Sequence, residues 1–237
     1  MWDAVENAGI GLHSQNATAW KNLGTLGSTY DFTLGGDCFW NPHSMIVGEY
    51  TGRAWSPMIP REQIRTMEIV FRPRLARSIT TNDSRTRAFM FGDRFTQSNY
   101  QMTRRMLAWD VNSNKRGWMF GTGEAMPAGQ PNYTGMPYGP DLKTFSVAYP
   151  ADDTVYLTGD RPSRIVQDGA TWSVSSWVNE GDAVEQNQVI GNPLTSSGDE
   201  IAKQGIVMQV HCVRLYSREL TLAEQQANYA LDVQRFG

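Results

Sequence analysis

The stretch VRLYSRELTLAEQQANY, Val213–Tyr229, decides how this chain is read. Val213 and Leu215 alternate with Arg214 and Tyr216, the period-two pattern of a strand with two unlike faces. A few residues later the period changes. Thr221 is a good helix N-cap and Glu224 stands three residues on, the spacing of a capping box over the free N–H groups of a first turn. Leu222, Tyr229 and Val233 fall at helical spacing and predict an apolar face on a helix from Leu222 to about Gln234. The charged residues Arg214, Arg218, Glu219 and Glu224 then need no catalytic role. Thr221 and Glu224 are a structural cap, and Leu222 and Tyr229 are expected to lie as a lid on the last strand.

Working back from this ending, the chain is a series of short strand-like runs. In YDFTL, Tyr30, Phe32 and Leu34 share a face; in TMEIVFR, Met67, Ile69 and Phe71 oppose Glu68, Val70 and Arg72. RAFMFGD, MLAWDV, RGWMFG, TFSVAYP, TVYLTGD and QVIG continue the series. Many short runs with turn residues between them predict an all-β sandwich or barrel. Gly159-Asp160 suits a tight hairpin turn, and DGATW, Asp168–Trp172, is a turn. A second, short helix is expected around Pro60–Arg65, with proline at its first position. No repeat of fixed period exists, which argues against a propeller or solenoid. Gly121–Asp141 is rich in glycine and proline and has no period of either kind; loops of that length are usually functional or mobile. No linker or shift of composition divides residues 1–237, so a single domain is expected.

Bulk composition narrows the function. With 21 basic and 24 acidic side chains the net charge is −3, which offers no general attraction to nucleic acid or to anionic membranes. No run is long and apolar enough for a membrane-spanning helix. The start, MWDAVENAGIGLHS, has neither the basic nor the apolar region of a signal peptide. The chain is therefore expected to be an excised domain or a whole protein exported without one. Cys38 and Cys212 could form one bridge, although Cys212 falls in an apolar run that suits a buried free thiol. His13, His43 and His211 are isolated and suggest no transition-metal site.

Both ends carry a family resemblance. Val213, Arg214, Leu215, Tyr216, Arg218, Leu220, Thr221, Glu224, Asn228 and Tyr229 resemble the closing signature of laminin G-like, concanavalin A-like jelly-roll domains. WDAVENAGIGLHSQNATAWKNLG is similar to the opening of bacterial and phage members of that group. The resemblance implies a two-sheet antiparallel β-sandwich, a concanavalin A-like jelly roll, with a short C-terminal helix. Jelly-roll glucanases of this fold use Glu-x-Asp-x-(x)-Glu on a strand, the first Glu as nucleophile and the last as acid/base. EGDAVE places Glu180 and Glu185 at that spacing, but Gly181 replaces an aliphatic residue and the flanks read as loop.

Sugars are held by flat rings against the apolar faces of the pyranose. Tyr133 and Tyr138 in the long loop, with Trp55 in GRAWSPM, are the candidate platforms; the simpler role of each is to stiffen its own loop. The turns at Thr80–Ser84, Gly92–Phe95 and Ala151–Asp153 hold carboxylates that suit either solvent or Ca²⁺, the one cofactor considered. The expected function is a non-catalytic recognition or adhesion module for a glycan or cell-surface polysaccharide, on an extracellular surface or a virion beside other surface proteins. The alternative is a phage structural protein, a capsid decoration, head fibre or tail component. A glycoside hydrolase using Glu180 and Glu185 is the third reading, and the protein is expected not to be an enzyme.

Overall fold

The structure, a computed structural model, describes residues 1–5, 12–48, 51–60, 63–73, 87–93, 106–110, 117–120, 141–150, 162–172, 186–191 and 207–237. In chain order the strands begin with β1 (Trp2–Asp3), β2 (Ala19–Trp20), β3 (Phe32–Gly35), β4 (Cys38–Asn41) and β5 (Ser44–Val47). They continue with β6 (Arg53–Ile59), β7 (Thr66–Pro73), β8 (Arg87–Asp93), β9 (Met106–Asp110) and β10 (Gly117–Phe120). The last are β11 (Lys143–Ala148), β12 (Arg164–Gln167), β13 (Ala170–Trp172), β14 (Gln186–Gly191) and β15 (Met208–Tyr216), followed by helix α1 (Leu222–Phe236).

Two antiparallel sheets form. One has the order β13-β12-β11-β7-β15-β5-β4, with β1 also paired to β15; the other has the order β10-β9-β8-β14-β6-β3-β2. The alternation in the sequence sets their inner faces. Phe32 and Leu34 from the second sheet, and Met67, Ile69 and Phe71 from the first, join one apolar cluster between the layers, against which Tyr30 also packs. Burying these faces against each other is the main force holding the sandwich together.

Local chemistry shapes the turns and irregularities. Asp168 and Gly169 both adopt positive φ, 47° and 79°, the two-residue hairpin turn that suits the twist of β12 and β13. Pro57 has no N–H for the ladder, and β6 answers with a bulge: Ser56 and Pro57 face the single residue Gln188 between the Trp55–Val189 and Met58–Asn187 pairs. Ser56 Oγ accepts the Gln188 N–H at 3.0 Å, so that donor is still satisfied. At Pro60 the Gln63 N–H closes a turn on the Pro60 carbonyl at 2.9 Å; residues 61 and 62 of the expected short helix lie outside the described residues, as does the Gly159-Asp160 hairpin.

α1 lies across the outer face of the first sheet, but not as the apolar spacing suggests. Its cap is a capping box: Thr221 Oγ1 accepts the Glu224 N–H and Glu224 accepts the Thr221 N–H. The expected contact face of Leu222, Tyr229 and Val233 is corrected. Leu222 and Val233 are exposed, Tyr229 is half-buried over Gly169, and the buried residues are Gln225, Asp232 and Phe236. The reason lies in the sheet beneath. Ser146, Glu68 and Arg214 stand side by side on β11, β7 and β15. One helical turn rises about 5.4 Å and adjacent strands sit about 4.8 Å apart, so successive turns of α1 meet successive strands. Gln225 donates to Ser146 Oγ at 2.7 Å, Asn228 to Glu68 Oε2 at 3.0 Å, and Asp232 takes a two-point hydrogen bond from Arg214. An apolar helix face would leave Glu68 and Arg214 buried without these partners, at a cost of several kcal/mol, ~3–5.

Candidate functional site

With α1 on the first sheet, the outer face of the second sheet is where Trp55 sits. On β6, Ala54 points into the core, so Arg53 and Trp55 point away from it. Register places Thr33 of β3 and Val189 of β14 on either side of Trp55, with Gly92 of β8 beyond Val189. Gly35 pairs with Arg53 in the next row. The indole leans across β3. A methyl group at Gly35 would come within 3.0 Å of Trp55 Cζ3 and 3.1 Å of Cη2, so the missing side chain makes room for the ring. The Arg53 guanidinium carbon lies 5.6 Å from the ring centroid, within the range of a cation–π contact. Trp55 therefore packs against a glycine and a cation and is half-buried. A ring fixed in this way stacks on a flat ligand with little loss of side-chain freedom.

The other candidates have different fates. Tyr133, Tyr138, Glu180 and Glu185 lie outside the described residues, and so do most of the acidic turns considered for Ca²⁺. Among the described residues no group of three or more His, Cys, Asp or Glu side chains could hold a metal ion. Cys38 and Cys212 are free thiols. Burial pushes both well up, to about 12, so neither is a thiolate at neutral pH.

The polar cluster beneath α1 has the residue types of a catalytic centre, yet its geometry is closed. Glu68 accepts from Ser146 at 2.8 Å, Tyr216 at 3.2 Å, Asn228 and Arg214. Burial opposes the Arg214 charge, but the hydrogen bonds it donates to Asp232 outweigh it and raise its pKa; burial and then Glu68 raise that of the Tyr216 phenol. The free space at this cluster, about 10 Å³, does not exceed a single water. A more open cavity carries no mark in the sequence. A cavity of about 200 Å³ opens where the Gly27–Tyr30 turn meets the ends of β1, β6 and β15. Its lining comes from five separate stretches of chain, Met1–Trp2, Asn22–Tyr30, Ile59, Gln63–Ile64 and Leu215–Ser217, so no local motif marks it.

No family model matches the sequence, and a search of curated proteins finds no relative. Solved structures do match in fold. Trypanosoma rangeli sialidase in complex with sialic acid aligns with TM-score 0.63 at 16% identity, over 100% of this chain and 37% of that one. The botulinum neurotoxin serotype D binding domain aligns with TM-score 0.55 at 12% identity, over 93% of this chain and 51% of that one. The botulinum neurotoxin type G receptor binding domain gives 0.54 at 10%, over 92% and 50%. This chain thus spans about a third of the sialidase and half of the toxin domains, and at these identities the likeness concerns the fold. It corrects the expectation that the protein is not an enzyme: structures similar over the whole chain include a glycoside hydrolase. The lack of a contiguous catalytic motif was a weak basis for that expectation, because catalytic groups converge from distant positions.

Proposed function

We propose that this chain is a glycan-recognition domain of the concanavalin A-like, laminin G-like type, acting at an extracellular surface or on a virion. The observation that carries the reading is Trp55, half-buried on the outer face of the second sheet and packed against Gly35 and Arg53. A pyranose presents an apolar face that stacks on an indole. Among the described residues no helix is long and apolar enough to cross a membrane. The two-layer sandwich and its likeness to toxin domains named for receptor binding support the same reading.

The test is binding of the whole chain to immobilised polysaccharides and a glycan array, with Trp55→Ala and Trp55→Phe beside the wild type. Trp55→Ala is expected to weaken binding at least tenfold, about 1.4 kcal/mol, while Trp55→Phe retains most of it. Equal binding by wild type and Trp55→Ala, or no glycan bound by the wild type, overturns the proposal.

A further inference from the structure

His211 occupies an irregular place on β15. Val210 and Cys212 pair with the consecutive residues Phe71 and Val70 of β7, so His211 is the extra residue of a bulge. Its ring is stacked on Phe236 in the last turn of α1, with centroids 5.1 Å apart and planes at 27°. Nδ1 lies 2.9 Å from the His43 carbonyl in the β4–β5 turn. A carbonyl only accepts, so the neutral ring carries its proton on Nδ1 and takes a second one at Nε2. Nε2 is buried and has no hydrogen-bond partner among the described residues.

The surroundings do not suit a second proton. Asp3 on β1, His43 in its turn and Arg72 on β7 face the ring, with Arg235 of α1 across Phe236. Asp3 already pairs with Arg235 at 2.9 Å, and Arg72 donates to the Phe236 carbonyl. Burial lowers the His211 pKa; the bond to the His43 carbonyl opposes this, and Arg72 adds to the lowering. With the folded value below the ordinary one, the stability of the docked ring is complete above roughly pH 6.5 and falls as the pH drops below it. We infer that His211 is an acid-sensitive latch on α1: taking a proton at Nε2, it frees the last turn, residues 233–236, while the sandwich stays folded. A buried imidazolium with an unpartnered N–H is costly, and moving Phe236 aside lets Nε2 reach water. The rest of α1 keeps its own ties, Gln225 to Ser146 and Asp232 to Arg214. The inference does not depend on what Trp55 binds.

Cys212 reports the release, because its thiol is fully buried with Val70 and Phe236. The whole chain carrying Cys38→Ser is reacted with 4,4′-dithiodipyridine at pH 7.5 and pH 5.0. Each rate is divided by that of glutathione at the same pH, which removes the change in thiolate fraction. Labelling of a buried group tracks local opening, so the normalised rate is expected to rise at least about fivefold at pH 5.0. His211→Asn, which keeps a donor for the His43 carbonyl but takes no proton, should abolish the rise; its folding is checked by thermal melting. A second measurement needs no variant at position 211. Hydrogen exchange, corrected for its intrinsic pH dependence, should show residues 233–237 losing protection as the His211 ring titrates by proton NMR, with β7 and β15 unchanged. Four outcomes overturn the inference: equal normalised rates at the two pH values, the same rise in folded His211→Asn, a ring that titrates while residues 233–237 stay protected, or protection lost throughout both sheets at pH 5.0.

Discussion

Arg214→Met tests whether the polar seat of α1 holds the fold. Among the described residues, Arg214 is the cation between Glu68 and Asp232, and all three side chains are largely buried. Removing one partner of a buried ion pair typically costs about 3–5 kcal/mol, because the other charge stays buried and unpaired. Here two carboxylates lose a shared guanidinium, and Asp232 has no other partner among the described residues, so the upper half of that range is expected. For a chain of this size each kcal/mol shifts Tm by about 2–4 °C, giving a fall of roughly 8–20 °C. Urea unfolding followed by tryptophan fluorescence reads the loss, since Trp2, Trp20 and Trp40 sit in the core. Two controls sharpen the result. Arg214→Lys keeps the charge but not the two-point hydrogen bond, so it should fall between wild type and Arg214→Met. The deficit of Arg214→Met should also shrink from pH 7 to pH 5, because an unpaired buried carboxylate escapes its desolvation cost by taking a proton. A loss below about 1 kcal/mol, or a deficit that grows in acid, would refute the assignment of α1's docking to this row.

Two further perturbations probe other parts of the fold. The Arg218 hydrogen bonds, then the Thr221 backbone N–H, lower the Glu224 pKa from 4.5 to about 2. A depressed carboxylate stabilises the folded state above its unfolded value, and that contribution is lost as the pH falls toward 2. Wild type should therefore lose more stability than Glu224→Gln between pH 5 and pH 2.5 in acid melts followed by circular dichroism; parallel curves would exclude the linkage. Gly36 has φ 62°, and a methyl group there would lie 1.9 Å from the Thr51 carbonyl oxygen. Gly36→Ala is thus expected to destabilise by more than about 1 kcal/mol in urea titration, and an unchanged midpoint would show that the β3–β4 turn can move aside.

The two-sheet architecture was legible where burial is apolar. Phe32 with Leu34, and Met67 with Ile69 and Phe71, alternate because one side of each strand meets the opposite layer. Asp168-Gly169 was legible because few other pairs take two positive φ angles in succession. The cap was legible because Thr221 and Glu224 interact within one turn. What failed was any inference needing partners distant in sequence. β6 was hidden by Pro57, which a strand accepts here only because of the bulge opposite Gln188. The buried side of α1 was misread because apolar spacing presumes an apolar floor, whereas this floor holds Glu68, Ser146 and Arg214 from three strands. Gly35 beside Trp55 and the cavity at Trp2 likewise arise only when separate segments meet.

The terminal signatures acquire a physical meaning from these contacts. Asp3, near the start, is fully buried; its carboxylate pairs with Arg235 at 2.9 Å, and its carbonyl accepts the Trp20 indole N–H at 3.0 Å. Arg214, Tyr216 and Asn228, from the closing stretch, converge on Glu68. Phe236 packs with Val70 and Cys212 between these two sets of ties. Both ends of the chain are thus committed to seating one helix on one sheet, and the residues that make the family resemblance are consumed by that task. A groove on this face would have to displace α1 and expose Glu68, Arg214 and Asp232 together. Among the described residues, the opposite layer with Trp55 and the open end of the sandwich with the cavity at Trp2 carry no such penalty. This explains why the stretch that reveals the fold says so little about the ligand.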